Sequence, residues 1–220
     1  MKTRTRTYVW EFPVRLSHWL NFLCILAFAV TGLYIGNPYS GAQSADQYIM
    51  GWMRFVHFTA GYIFLASFVV RLYWLFAGNR YASVRVLFPF LTSQGRKNMS
   101  DAPKFYSFMS RKPPFAVGHT AFAGAIYLLL FLIFAFEIVS GFALYSLQQP
   151  GVWSAKIGTW LLTLMSAQTI RLYHHLAMYV IFAFVLIHLY IAWWLDTVER
   201  NGLMGSIFGG YKFVTGKEWE

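Results

Sequence analysis

Four long apolar stretches, at about residues 17–36, 55–78, 117–146 and 173–196, constrain this chain more than any other feature. Each is near or beyond the roughly 20 residues with which an α-helix crosses the hydrocarbon core of a bilayer. The third and fourth are long enough to tilt or to extend past it. Composition agrees: 58% of the 220 residues are hydrophobic and only 12% are charged, about half the charged share of a soluble domain. The expected fold class is an all-α integral membrane protein, a four-transmembrane-helix bundle that makes residues 1–220 a single membrane domain.

The formal charge of +10 could indicate nucleic acid, but the basic residues are placed otherwise. Residues 1–17 hold four Lys or Arg, the 79–116 connection holds seven and the tail beyond 196 holds three. The 37–54 connection has only Arg54, and the 147–172 connection only Lys156 and Arg171. The positive-inside rule then puts both termini and the 79–116 connection in the cytoplasm. Topology and anionic lipid account for the charge, and no nucleic-acid partner is expected. The 79–116 connection, with Pro89, Pro103, Pro113 and Pro114, reads as an irregular loop with a short interfacial helix. The basic N-terminus is not expected to be a cleaved signal peptide, because no small-residue cleavage site follows it and three further spans do. Cys24 is the single cysteine, which excludes disulfides within the chain and any cysteine metal cluster.

Six histidines, His18, His57, His119, His174, His175 and His188, lie in or beside these spans, where ionisable groups are costly and mark functional sites by default. Fourteen residues along a helix fall roughly 40° short of four full turns and rise about 21 Å. His174 and His188 therefore share a face at two depths, whereas His175 lies about 140° from His188. Spans 2 and 4 run inward and span 1 runs outward, so His57 faces His174 at an outer level and His18 meets His188 at an inner one. Two stacked histidine pairs are what two six-coordinate b-type haems require. A zinc site would need a tighter cluster of three or four ligands, and the chain has no CxxCH for covalent haem.

The same step recurs in two other spans. Arg71 follows His57 by 14 residues and Gly32 follows His18 by 14, which carries Arg71 to the inner haem level as a propionate partner and Gly32 to the outer level, where a macrocycle can approach the backbone. Gly32 and Gly61 have a second reading, as small residues at a helix–helix contact. Arg54, one turn before His57, is a candidate for an outer propionate or a snorkelling interfacial arginine. Glu137, within span 3, either carries protons or hydrogen-bonds a neighbour. His119, at the cytoplasmic start of span 3, is the candidate for binding or protonating a quinone, or an interfacial polar residue.

The segments YVWEFPVRLSHW, GWMRFVHFTAGYIF, RLYWLFAGNRY, VGHTAF, SGFALYS, YHHLAM, IHLY and GGYK together cover nearly the whole chain. They resemble the cytochrome b subunit of membrane-bound uptake nickel-iron hydrogenases, a relative of the formate dehydrogenase cytochrome b subunit family. The resemblance implies a dihaem cytochrome b in a bacterial inner membrane, with His18 and His188 holding one haem and His57 and His174 the other. It also implies a nickel-iron large subunit and an iron-sulfur small subunit at the outer face, with electrons from hydrogen passing to a quinone. The chain departs from the family in having Thr120 and Ala121 after Gly118 and His119, where GHNP is usual. Further departures are Arg171 near a position commonly held by histidine, Tyr173 for tryptophan, and Glu137 for an apolar residue. Two alternatives remain open at this point: the cytochrome b of a formate dehydrogenase or other periplasmic oxidoreductase, and a haem-free membrane anchor or transporter.

Overall fold

Pro13 lies in the first turn of the first long helix, α1 (Phe12–Gly36), where its missing N–H leaves no hydrogen bond unmade. The Glu11 carbonyl accepts from the Val14 and Arg15 amides at 3.0 and 3.1 Å, so the helix begins well before the apolar run does. The same holds for α2 (Ile49–Ala77) and for the last long helix, Ala167–Glu199. The starts expected at 17, 55 and 173 are corrected outward, because hydropathy marks where lipid begins whereas backbone hydrogen bonding continues through the interface. The third span is corrected inward, from 117 to Ala121–Ser146. Thr120 stops it there: its Oγ1 accepts from the Ala123 amide at 3.1 Å and its carbonyl from Gly124 at 2.9 Å, an N-cap in the usual sense.

The computed structural model describes residues 4–41, 44, 47–111 and 116–215. Pro113 and Pro114, and residues 42, 43, 45 and 46 of the 37–54 connection, lie outside the described residues. In place of one interfacial helix, the 79–116 connection carries 3-10 turns at Val84–Leu87 and Pro89–Leu91 and short helices α3 (Ser93–Asn98) and α4 (Asp101–Tyr106). The third span is α5 (Ala121–Ser146), short helices α6 (Ala155–Gly158) and α7 (Leu161–Leu164) follow it, and the last span is α8 (Ala167–Glu199). The four long helices have 25, 29, 26 and 33 residues, about 38–50 Å at 1.5 Å per residue against a hydrocarbon core of about 30 Å. Only 11–33% of their apolar windows is buried within the chain, so most of the apolar surface faces outward, as a lipid-solvated helix requires. The chain is a multi-pass membrane protein.

Two compact units make up the chain, one of residues 1–16, 70–131 and 183–220 and the other of 17–69 and 132–182. In the first, β1 (Arg4–Tyr8) pairs antiparallel with β2 (Tyr211–Thr215), from Arg4 opposite Thr215 to Tyr8 opposite Tyr211. Helix α9 (Leu203–Gly209) leads into β2 through Gly210. The carbonyl of Gly210 accepts from Val9 and Trp10. Its φ is +86°, and a Cβ would stand 2.5 Å from Tyr8 Cε2 and 2.8 Å from the Trp10 carbonyl, so only glycine fits. Val9, Trp10, Val14 and Ala82 form the core here, with Trp74, Tyr81, Val117 and Ile207 around it.

Asn79 ties that core together. Its amide donates to Glu11 Oε2 at 2.7 Å, its Nδ2 to the Val9 carbonyl at 3.0 Å, and its Oδ1 accepts from the Tyr81 and Ala82 amides at 3.0 and 3.2 Å. Glu11 Oε2 also accepts from Trp74 Nε1 at 2.9 Å. In the second unit, Ala143, Leu161 and Ile170 form a buried cluster, and the Tyr62 hydroxyl meets Ser154 Oγ at 2.6 Å.

Candidate functional site

The second unit encloses a cavity of ≈ 530 Å³ whose wall includes Gly32 and Gly36 of α1, Arg54 and His57 of α2, Glu137 and Gly141 of α5, and His174, His175 and Met178 of α8. His57 is the ninth residue of α2 and His174 the eighth of α8, about 12 and 11 Å along their helices. Both line this cavity about two turns into their helices.

The neighbours of each ring decide its tautomer. His57 Nδ1 lies 2.9 Å from Thr31 Oγ1, and that hydroxyl already donates its hydrogen to the Ala27 carbonyl at 2.6 Å. Thr31 therefore accepts, Nδ1 carries the proton, and Nε2 keeps its lone pair. His174 Nδ1 lies 2.8 Å from Ser140 Oγ and 3.0 Å from Glu137 Oε2, while Ser140 donates to the Glu137 carbonyl at 3.3 Å. A carboxylate only accepts, so here too Nδ1 is the donor and Nε2 is the free base. Metal-bound histidines are oriented in this way, by an acceptor on the far nitrogen.

Glycines flank both rings. A Cβ on Gly32 would stand 3.5 Å from His57 Cε1, and one on Gly141 would stand 3.5 Å from His174 Cε1. From Gly32 the next ring atom is Nδ1, at 4.0 Å, so a longer side chain at either position would crowd the imidazole on the cavity wall. His175 lines the same cavity but is held by its own helix: its Nδ1 donates to the Arg171 carbonyl at 2.8 Å, and its Nε2 lies where a Cβ on Gly36 would come within 2.6 Å. The two adjacent rings stand 6.3 Å apart at 75°. Among the described residues, Arg54 and Arg171 bring cationic side chains to the cavity wall.

His18, also in this unit, packs edge-on against Trp19 with ring centroids 5.3 Å apart. The remaining candidates belong to the first unit. His188 stacks on Phe184 at 5.5 Å and 18°. Arg71 is buried, 4% exposed. Its Nη2 donates to the Ala82 carbonyl at 3.3 Å, its guanidinium carbon sits 5.6 and 5.8 Å from the Tyr127 and Phe131 rings, and Nε and Nη1 have no hydrogen-bond partner among the described residues. A buried guanidinium with unused donors is suited to a carboxylate.

His119 is wedged between Trp10 at 4.9 Å and Tyr127 at 5.2 Å. Burial pushes its pKa down from 6.5 to about 4, with Arg71, Lys212 and His188 adding to the shift. Its Nδ1 is buried without a hydrogen-bond partner among the described residues. A smaller cavity of ≈ 300 Å³ adjoins it, walled by Arg80, Tyr81, Val86 and residues 116–119.

The family model for prokaryotic cytochrome b561 matches residues 9–210. The chain belongs to that family. Cytochromes of the b type hold haem through side-chain ligands to iron, and the imidazoles of His57 and His174 on this cavity wall, each with Nδ1 held from another helix, are a fitting donor set. The chain is 36% identical over 217 residues to a protein of Cupriavidus necator named "Probable Ni/Fe-hydrogenase B-type cytochrome subunit", covering 96% of this chain and 88% of the relative. It is 35% identical to a protein of the same name from Azotobacter chroococcum, covering 96% and 90%. It is 32% identical to the "Probable Ni/Fe-hydrogenase 1 B-type cytochrome subunit" of Escherichia coli K12, covering 93% and 90%.

Thr31, Ser140, Gly141 and the bond from His174 to Glu137 were not singled out from sequence as parts of the site. A three-residue step from Glu137 to Ser140 marks one helix face, which is the only signal in the sequence that could have joined them. Asn79, within the GNRY segment, is a structural hub.

Proposed function

We propose that this cytochrome carries two b-type haems through one membrane domain of residues 1–220 and passes electrons from a nickel-iron hydrogenase on the periplasmic side to quinone. The observation that carries the reading is shared by His57 and His174: each lines the cavity with its Nδ1 held by a side-chain acceptor from another helix, whereas the Nδ1 of His175 is held by the backbone of its own helix. Haem iron supplies a one-electron carrier when bound at such a site. His57 and His174 ligate at the outer level, Gly32 leaves the backbone open to the macrocycle, and Arg54 offers a guanidinium to a propionate. His18 and His188 are the inner ligands, supported by the fourteen-residue steps from His18 to Gly32 and from His174 to His188.

Arg71, with Nε and Nη1 unpartnered among the described residues, holds an inner propionate. His119, whose Nδ1 has no hydrogen-bond partner among the described residues, is the residue that binds the quinone. The names of the relatives support a Ni/Fe hydrogenase as the partner, and the resemblance implies an iron-sulfur small and a nickel-iron large subunit within it. The basic connections support a bacterial inner-membrane location with both termini and residues 79–116 in the cytoplasm. Haem and metal quantification on the intact complex tests the whole reading. Two haems per chain with nickel present are expected. Absence of haem overturns the site, and molybdenum without nickel overturns the partner.

A further inference from the structure

Glu137 places a carboxylate on a histidine that the haem reading makes a ligand. Its Oε2 lies 3.0 Å from His174 Nδ1, and its Oε1 is buried with no hydrogen-bond partner among the described residues. Ser140, one turn further along α5, approaches the same nitrogen at 2.8 Å. Residues three apart on a helix share a face, so α5 presents two acceptors to one N–H. Among the described residues, His57 Nδ1 meets the neutral hydroxyl of Thr31 and no carboxylate. The two outer ligands are thus unequal, one backed by a carboxylate and one by an alcohol.

We propose that Glu137 sets the reduction potential of the outer haem low by accepting the Nδ1–H of His174. This rests on the ligation of the outer haem by His57 and His174. Two effects act in the same direction. Accepting Nδ1–H pushes electron density onto Nε2 and makes His174 a stronger donor, which favours ferric over ferrous iron. The bis-imidazole iron porphyrin core also carries one positive charge when oxidised and none when reduced, leaving propionates aside. A carboxylate beside it in low dielectric therefore stabilises the oxidised form. Glu137 lines the cavity itself, and its Oε1 has no hydrogen bond among the described residues to offset its charge. Glu137 is a positioning residue: it acts on the iron through His174.

Equilibrium redox titration of the full complex, followed at the haem α-band, tests this. In Glu137→Gln, which keeps the side chain's shape, the midpoint of one haem moves upward by about 59 mV or more, a tenfold change in the ferric-to-ferrous ratio. The other haem stays in place, and haem content stays at the wild-type value. Glu137→Leu moves the same haem further. A Glu137→Gln protein with full haem content and both midpoints unchanged overturns the proposal, as does an equal shift of both haems. The ligation reading fails separately: its failure is a His174→Ala protein that keeps both haems. The low-spin ferric EPR signal of one haem changes in Glu137→Gln, a readout that a purely structural role would leave alone.

Discussion

Replacing the two adjacent histidines of α8 one at a time separates ligand from bystander. In His174→Ala the protein loses an Nε2 donor on the cavity wall and strands the two acceptors on α5, Glu137 Oε2 at 3.0 Å and Ser140 Oγ at 2.8 Å. A buried acceptor left unpaired costs about 1–3 kcal/mol, more for a charged one, and that adds to the loss of an axial bond. The outer haem is not retained, and haem content falls from two per chain to one. In His175→Ala a single hydrogen bond is lost, from Nδ1 to the Arg171 carbonyl at 2.8 Å, worth about 0.5–1.5 kcal/mol. Both haems remain. Haem extraction and quantification on the purified complex, beside a reduced-minus-oxidised spectrum, reads the difference directly. Loss of a haem from His175→Ala with two retained in His174→Ala would refute the tautomer and phase reasoning together.

Gly32→Leu fills the space beside His57 Cε1 and Met178 Sδ, which a Cβ there would approach to 3.5 and 3.6 Å; haem content is expected to fall to one per chain while the polypeptide still inserts. Asn79→Ala removes three side-chain hydrogen bonds, to Val9, Tyr81 and Ala82, at about 1 kcal/mol each, and lowers the thermal unfolding midpoint in detergent. A midpoint unchanged by that substitution would remove Asn79 as the hub. The pKa of His119 is pushed down from 6.5 to about 4, so between these values the unfolded chain binds a proton that the folded chain does not. Stability from this group is therefore present above pH 6.5 and lost as pH falls toward 4, by about 3 kcal/mol in all. His119→Gln should flatten that part of the pH profile, and an unaltered slope would show that other groups produce it.

The membrane-spanning helices and the histidines within or beside them were legible in the sequence because both are local signals. An apolar run of sufficient length has no other stable fate in lipid, and a fourteen-residue step depends only on helical pitch. The helix starts were legible to within about six residues, since hydropathy does not report the hydrogen bonds with which Glu11 and Thr120 set where α1 and α5 begin. The ribbon of β1 and β2 was invisible. It joins Tyr8 to Tyr211, and no local pattern in RTRTY or YKFVT names a partner some two hundred residues away.

The residues that make His57 and His174 usable were likewise hidden. Nothing in the sequence around Thr31, Ser140 or Glu137 says that each would meet an imidazole Nδ1, because such a contact depends on how helices from separate parts of the chain rotate against one another. The sequence alone determined that this chain crosses a membrane and which helix face each histidine of a span occupies, through hydrophobicity and pitch. Only the tertiary structure decided which nitrogen of His57 and His174 carries the proton and that a carboxylate stands behind His174, because those facts belong to contacts a few ångströms across.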